Sequence, residues 1–288
     1  MDSKGFSEMH WLASKYEMRP DVVQGAGGNV SVKISDELML IKASGRDFSE
    51  LKNESGLVPV FYKNLQTYLL DPTSAKADER THLATALLNT KRESEKDRPS
   101  MEVWFHTLLH KYVLHTHSVY VNILACSEEG SALFGQIMKR NNVTFQTFPY
   151  YNPGFELGHA MARQFQTTDV LPAVIFLENH GIIVHADALE ECATLHEIVE
   201  EKIKEALDIE SAVFDMSELQ NEEIYDFEDL TIFPDQVIYP AHAAIRAAHR
   251  FILKHVRARG FHIRTIPGEH VHTVKNMESE EYRKGLKA

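Results

Sequence analysis

The chain contains 288 residues, of which 43% are hydrophobic and 25% are charged, as in a globular protein with a large buried core. Its formal net charge of −12 argues against a nucleic-acid-binding protein, because binding to phosphates depends on clustered Lys and Arg. The sequence has no uninterrupted run of about 18 apolar residues and no secretory signal at its start, so we expect a cytoplasmic protein without a membrane partner.

The first half of the chain alternates helical and extended patterns. "FSEMHWLASKYEM" has apolar residues at helical spacing and predicts an opening helix. A glycine cluster then leads into "VSVKI", a polar turn and "LMLIKAS", which together predict a loop and a β-hairpin. "KRESEKDRPS" is typical of a solvated loop, and "SMEVWFHTLLHKY" predicts a helix that runs almost directly into a strand at "VLHTH".

The second half contains stronger helical patterns. "VYVNILACS" and "GSALFGQIMKR" predict helices, "VTFQTFPY" a strand and "GFELGHAMARQF" an amphipathic helix. "AVIFLENHGIIVHA" predicts two strands broken by an "ENHG" turn, and "ALEECATLHEIVEEKIKEAL" a long amphipathic helix. A last helix over "HAAIRAAHRFILKHVRARG" should end at Gly260. Cys126 and Cys192 lie in apolar helical patterns without CxxC spacing, which indicates reduced thiols.

Two histidines stand in the otherwise apolar segment "YVLHTHSVYVNILAC" (residues 112–126). If "YVLHTH" is a strand, His115 and His117 project together, because alternate side chains share a face. A catalytic zinc-type site needs three protein ligands and an open position. His180 is the third candidate, since the adjacent Gly181 lets backbone approach a ligand closely. Three neutral imidazoles would leave a metal ion its full charge, so that it acts as a Lewis acid on a carbonyl oxygen.

Spacing alone leaves a second interpretation open, in which these are three unrelated members of a set of 16 histidines. Two rival pairs exist. "HTLLH" places His106 and His110 one helical turn apart, but a metalloprotease would have Glu where Thr107 stands. "EHVHT" offers His270 and His272 without a partnering glycine turn. We interpret both rival pairs as structural or surface histidines.

The glycine-rich stretch "QGAGGN" matches no nucleotide-binding fingerprint. A dinucleotide motif would need glycine at Val30, and a P-loop would need Gly-Lys-Ser/Thr. The accessible backbone N–H groups, with the Asn29 amide beside them, could instead form a nest for one phosphate monoester. "KASG" at 42–45 adds a hydroxyl, a glycine N–H and the cation of Lys42. The alternative is a tight turn before the hairpin.

Four motifs together resemble one known family. "QGAGGNVSVK…LMLIKASG", "RPSMEVWFH", "VLHTHS" and "ENHGIIV" come in the order, and at about the spacing, of the class II aldolase/adducin family. That family includes metal-dependent fuculose- and rhamnulose-phosphate aldolases and ribulose-phosphate 4-epimerase. The resemblance spans residues 8–207 and is strongest to the aldolase module of bifunctional rhamnulose-phosphate aldolase/dehydrogenases. "FPDQVIY" and "SEEYRKG" are similar to the C-terminal extension of that subgroup.

The resemblance implies an α/β fold: a three-layer α/β/α domain on a mostly antiparallel central sheet. It would occupy residues 1–208, and residues 209–288 would form a C-terminal extension that packs on the same domain. The family commonly forms homotetramers with sites between subunits. The implied partners are therefore a small sugar phosphate and further copies of the chain.

The resemblance also implies roles for individual residues. A divalent metal, expected to be zinc, would be held by His115, His117 and His180. The acid/base position corresponds to Glu102. The substrate phosphate would be surrounded by Gly28, Asn29, Ser44, Gly45 and Ser100. A proton donor supplied by a neighbouring subunit would be Tyr150 or Tyr151.

The implied reaction cleaves a ketose phosphate to dihydroxyacetone phosphate and an aldehyde through a metal-stabilised enediolate. Alternatives are an epimerase, dehydratase or decarboxylase with the same metal, or a non-catalytic adducin-like interaction domain, which would be expected to lose the metal ligands. Two features depart from the expected pattern or weaken it. Met101 replaces a phosphate-binding serine of the short aldolases, and Glu102 could merely be a first-turn acid favoured by the helix dipole.

Overall fold

The computed structural model of the protein describes residues 3–52, 55–71, 97–209, 213–216 and 230–277. Most of the predicted loop "KRESEKDRPS" and the ending "SEEYRKG" lie outside these residues.

A seven-stranded mixed sheet forms the centre of the molecule, in the order β3-β2-β1-β4-β7-β6-β5. Its strands are β1 Asn29–Lys33, β2 Leu38–Lys42, β3 Leu57–Phe61, β4 Tyr112–Thr116, β5 Phe145–Phe148, β6 Val174–Leu177 and β7 Gly181–Ala186. Neighbouring strands run antiparallel except β5 and β6, which are parallel. The predicted hairpin, the strand at "VLHTH" and the strand pair around "ENHG" are confirmed.

Helices cover both faces of the sheet. They are α1 Ser3–Ser14, α2 Tyr62–Leu70, α3 Val103–His106, α4 Val119–Ala125, α5 Gly130–Arg140, α6 Phe155–Phe165, α7 Leu189–Ala206, α8 Pro234–Ile238, α9 Ala243–Ala258 and α10 Gly268–Asn276. Within the described ranges, no helix combines the length and the apolar character that crossing a membrane requires.

Alternating side chains divide the sheet between two hydrophobic layers. On β4, Leu114 joins a large cluster with residues of α4, α5 and α7, whereas Val113 joins a cluster with residues of α3 and α6. Both residues are fully buried, because a strand covered on both faces has no solvent side. The expected three-layer α/β/α fold with a mostly antiparallel sheet is confirmed.

The C-terminal helices share the main core. Phe251 and Ile252 of α9 belong to the same cluster as α4 residues, and the ring of Phe251 lies 5.6 Å from that of Tyr120. Helix α9 therefore packs directly on the sheet domain. The boundary at residue 208 stays a prediction.

The helix predicted over "SMEVWFHTLLHKY" is wrong beyond α3. Lys33, at the end of β1, donates side-chain hydrogen bonds to the carbonyl oxygens of Leu109 and His110, and its backbone N–H donates to Lys111 at 3.0 Å. These contacts draw the segment toward the sheet, and such tertiary bonds outweigh local helical periodicity. As a result, His110 lies outside the helix that His106 ends.

Cys126 and Cys192 are buried free thiols, as the sequence predicts. Burial raises the pKa of Cys126, and burial is also the largest cause that raises the pKa of Cys192 to about 12. Both thiols therefore stay protonated and act as small apolar side chains.

Candidate active site

Three histidines come together at one end of β4 and β7. His115 lies on β4, His117 follows that strand, and His180 lies in the turn that leads into β7. Their ring centroids are 4.8 to 5.0 Å apart. The next residue, Gly181, must be glycine because a Cβ there would lie 2.2 Å from the carbonyl oxygen of Thr116. The backbone at this glycine therefore approaches β4 closely, and its expected approach to a ligand stays a prediction.

Hydrogen bonds fix the tautomers of two rings. His115 Nδ1 lies 2.9 Å from the carbonyl oxygen of Ile182, and His117 Nδ1 lies 2.7 Å from Asp235 Oδ2. Because both partners are acceptors, each Nδ1 carries the ring hydrogen and donates it. The two Nε2 atoms, 3.0 Å apart, then face each other with lone pairs when the rings are neutral. Such a pair of acceptors is stabilised only by a cation or a further proton between them.

The donor set fits a divalent transition metal. One ligand atom from each of His115, His117 and His180 lies within 4.8 Å of the other two. Zinc bonds of about 2.0–2.1 Å at tetrahedral angles would place neighbouring nitrogens about 3.3 Å apart. The Nε2 atoms of His115 and His117 are 3.0 Å apart. Burial is the largest single effect and lowers the pKa of His115, but Glu102, the Ile182 carbonyl and Asp235 together outweigh it, so the net shift is upward. The site therefore attracts positive charge.

Glu102 faces this cluster from the start of α3. Its Oε1 lies 3.3 Å from the Nε2 atoms of both His115 and His180. Burial raises the pKa of Glu102, but the two rings together lower it by more than burial raises it. The pKa of this carboxyl is therefore held well below its usual range. Burial lowers the pKa of His180 to about 4 despite the nearby carboxylate. The Glu102 side chain makes no capping bond to α3, which argues against a purely helix-capping role.

The glycine loop reaches the cluster through strand pairing. Asn29, the first residue of β1, pairs with His115 across the sheet. Gly28 has φ +66° and a Cβ there would lie 2.9 Å from the His115 carbonyl oxygen, so both conformation and close approach require glycine. The Asn29 amide donates to Glu102 Oε2 at 3.3 Å and also to the hydroxyl of Ser100.

A second backbone pairing brings the remaining predicted phosphate residues alongside. The N–H of Ser100 donates to the Lys42 carbonyl at 3.2 Å, and the N–H of Ser44 donates to the Arg98 carbonyl at 2.9 Å. Gly45 follows with φ +76°. The segment before α3 is therefore joined to the end of β2, next to the glycine loop.

These elements enclose one pocket of about 410 Å³, which includes its open mouth. Its lining contains Ala26, Gly27, Gly28, Asn29, Lys42, Ser44, Gly45, Ser100, Met101, Glu102, His117, Pro153, His180, Pro234 and Asp235. All five residues expected to hold phosphate thus share a cavity with Glu102 and two of the three histidines. Their roles in binding stay predictions.

Comparison with known proteins identifies the family. A family profile described as "Class II Aldolase and Adducin N-terminal domain" matches residues 12–207. The chain belongs to the class II aldolase and adducin family. Members of this family typically use a divalent metal, and the histidine cluster fits one.

Individual relatives within the family differ in their named activities. 3-Oxo-tetronate 4-phosphate decarboxylase of Haemophilus influenzae is 24% identical over 191 residues, 62% of this chain and 76% of that protein. Methylthioribulose-1-phosphate dehydratase of Pectobacterium atrosepticum is 31% identical over 130 residues, 43% of this chain and 48% of that protein. A solved class II aldolase domain from Thermoplasma acidophilum shares the fold, with a TM-score of 0.59 at 20% identity, over 71% of this chain and 94% of that one.

One polar residue that lines the pocket of this class II aldolase and adducin family member, Asp235, has no site role in the sequence analysis. Asp235 lies beyond the matched region and carries no spacing signal, although "FPDQVIY" resembled a subgroup extension. Lys42, near the glycine loop, is 1% exposed and donates to the carbonyl oxygens of Ala26 and Arg46 at 3.1 and 2.6 Å. A lysine side chain therefore lies in the wall of this pocket.

The expected tyrosines are not part of this cavity within the described chain. Tyr150 packs edge-on against His270, with ring centroids 5.2 Å apart, and Tyr151 packs beside an apolar cluster. Their proposed role from a neighbouring subunit stays a prediction. His270 and His272 lie on α10 rather than on a strand, and neither belongs to the histidine group found among the described residues.

The other rival pair is His106 and His110, and each contacts a different neighbouring side chain. His106 Nδ1 lies 2.7 Å from the Ser31 hydroxyl, and burial holds the pKa of His106 well below its usual range. His110 packs against His185 at 4.6 Å between ring centroids.

Proposed function

We propose that this protein is a metal-dependent lyase that breaks a carbon–carbon bond beside the carbonyl group of a sugar phosphate. The observation that carries this proposal is the position of Glu102. Its carboxylate contacts two histidines of the cluster and opens into the pocket that the glycine loop lines. A proton-transfer group thus lies between a site for a cation and a site for an anion.

In this proposal His115, His117 and His180 hold one divalent ion, with zinc as the first candidate. When bound, such an ion supplies Lewis acidity to the carbonyl and adjacent hydroxyl oxygens of the substrate. The chain orients two of the three rings, those of His115 and His117, through hydrogen bonds to Ile182 and Asp235, so these donor atoms are arranged before an ion arrives.

The substrate phosphate binds in the part of the pocket that the glycine loop and the end of β2 line. Gly28 and Gly45, both with positive φ, expose backbone N–H groups, and the hydroxyls of Ser44 and Ser100 lie beside them. Lys42 contributes a positive charge in a chain whose formal net charge is −12. This local charge allows an anionic substrate to bind, even though Met101 contributes no hydroxyl.

Aldol cleavage requires two proton movements. The hydroxyl on the departing carbon loses its proton as that carbon becomes an aldehyde, and the carbon left with the electron pair gains a proton. Glu102 serves the second carbon, because its carboxylate lies beside the histidines. Tyr150 or Tyr151 of a neighbouring protomer serves the hydroxyl, which makes the active enzyme an oligomer.

A decarboxylase is the second candidate, favoured by the named activity of the Haemophilus influenzae relative. Loss of carbon dioxide from a 3-oxo acid needs only one proton, delivered to the carbon that keeps the electron pair. Among the described lining residues, the carboxylates are Glu102 and Asp235, and Asp235 is bonded to His117. The pocket of one chain therefore contains enough acid/base groups for decarboxylation without a partner's tyrosine.

The decisive assay incubates the zinc-loaded protein with rhamnulose, fuculose and ribulose phosphates and with a 3-oxo-tetronate phosphate. Released dihydroxyacetone phosphate supports the aldolase, and released carbon dioxide from the 3-oxo acid supports the decarboxylase. Glu102→Gln should abolish either signal, whereas Glu201→Gln, at a side chain that is 64% exposed, should not. Turnover undiminished by Glu102→Gln would refute the assigned role of this carboxylate.

Mixed oligomers test the tyrosine. The inactive Glu102→Gln protein is mixed with an inactive tyrosine variant, Tyr151→Phe or Tyr150→Phe, and the two are unfolded and refolded together. The mixture should regain about a quarter of native activity if each site combines residues of two protomers. No regain with either tyrosine variant would remove these residues from the reaction.

A further inference from the structure

The C-terminal part of the chain contributes a carboxylate to the histidine cluster. Asp235 Oδ2 lies 2.7 Å from His117 Nδ1, across 118 positions of sequence. The two side chains are 4% and 7% exposed, so the contact is shielded from water. A carboxylate–imidazole bond shielded in this way is stronger than one at the surface.

Hydrogen bonds within the segment that carries Asp235, and from Asn179 to it, hold this segment in place. We call residues 230–238 the strap. The Gln236 side chain accepts from the N–H of Ile232 and donates to the Leu230 carbonyl, both at 3.0 Å. The amide of Asn179, next to His180, donates to the Ile232 carbonyl at 2.9 Å. The strap is therefore attached to the turn of one candidate ligand while its carboxylate contacts another.

Gly27 provides an independent sign that the sequence accommodates this contact. A Cβ at Gly27 would lie 2.4 Å from Asp235 Oδ2 and 2.9 Å from His117 Nδ1. Gly27 does not have the positive φ that would itself demand glycine. The missing side chain is thus required by the space that the carboxylate and the ring occupy.

We propose that Asp235 is a positioning residue that fixes the tautomer and orientation of His117 and increases the electron density on its Nε2. This inference rests on the proposed metal site but reaches outside residues 12–207, which the family profile covers. His115 has a neutral backbone carbonyl at the equivalent nitrogen, so His117 is the stronger donor of the two. The strap is then a working part of the metal centre.

Metal affinity is the direct readout. The dissociation constant for Zn²⁺, measured by competition with a chromophoric chelator, should rise about tenfold to a hundredfold in Asp235→Ala. Asp235→Asn, which keeps an acceptor oxygen but loses the charge, should fall between native and Asp235→Ala. Asp187→Asn makes the same chemical change at an exposed carboxylate and should leave the constant unchanged.

A structural control separates positioning from loosening of the strap. His249 Nε2 donates to the Leu230 carbonyl at 2.9 Å, so His249→Ala should lower the melting temperature without changing metal affinity. If His249→Ala weakens zinc as much as Asp235→Ala does, the proposal is overturned. If Asp235→Ala fails to fold, the Asp235→Asn affinity decides: a native value overturns the proposal.

Gly27 completes the test. Gly27→Ala should weaken zinc in the native background but have a smaller effect when Asp235 is already alanine, because the closest clash is then gone. Equal effects in both backgrounds would contradict the proposed contact. A native protein that binds no zinc would refute the metal site itself. If the native protein binds zinc and Asp235→Ala has the same dissociation constant, only this inference is refuted.

Discussion

Replacing His185 with leucine should make the protein less sensitive to acid. His185 is 2% exposed on β7, and its ring lies against that of His110. Burial, followed by the repulsion of a charged His110, lowers the pKa of His185 to about 3. In the unfolded chain the pKa of this side chain is about 6.5.

The sign and size follow from these two pKa values. As pH falls through about 6.5, the unfolded state binds a proton that the native state does not, so stability is lost between that pH and about 3. At pH 5, about 1.5 pH units below the unfolded pKa, protonation of this side chain stabilises the unfolded state by about 2 kcal/mol relative to pH 8.

Urea unfolding of metal-free protein at about pH 8 and about pH 5 measures this quantity. The native protein should lose about 2 kcal/mol more free energy of unfolding over this interval than His185→Leu does, whatever the absolute stability of the variant. Parallel losses in the two proteins would show that His185 titrates normally when folded, and would refute the burial argument.

Three further predictions concern the proposed site and its scaffold. Glu102→Gln should keep its zinc but lose about 10²–10⁴-fold in kcat, and steady-state kinetics with any substrate found above would expose a smaller loss. His117→Ala should lose zinc by elemental analysis while His272→Ala retains it; the reverse pattern would mean that the wrong histidine pair was chosen. Gly181→Ala should lower the free energy of unfolding by about 2–3 kcal/mol, because its Cβ would meet the Thr116 carbonyl at 2.2 Å. Gly268→Ala, where a Cβ meets open space, is the matched control, and equal urea midpoints would contradict the steric argument.

The histidine cluster was accessible from sequence because two local signals were combined. Alternation along "VLHTH" placed His115 and His117 together, and the glycine after His180 marked the turn that meets them. The order of the motifs matched a known family, and both the family and the fold that it implied are confirmed. What spacing alone could not supply was the antiparallel pairing of Asn29 with His115, which joins the glycine loop to the cluster.

Other features depend on contacts that leave no local pattern. The helical periodicity after α3 was overridden by the bonds from Lys33, a residue far away in sequence. Asp235 is an isolated acid in a short apolar stretch, and its partner lies 118 positions earlier. Tyr150 and Tyr151 pack outside the pocket of their own chain, so an intersubunit role can be read only from an assembly.

X-ray absorption spectroscopy of the zinc-loaded protein tests the central claim most directly. The account predicts one zinc per chain with an inner shell of nitrogen and oxygen, in which outer-shell scattering shows three imidazoles, falling to two in His180→Ala. A spectrum with fewer than three imidazoles in the native protein, or one unchanged by His180→Ala, would contradict the convergence of these rings on a single ion.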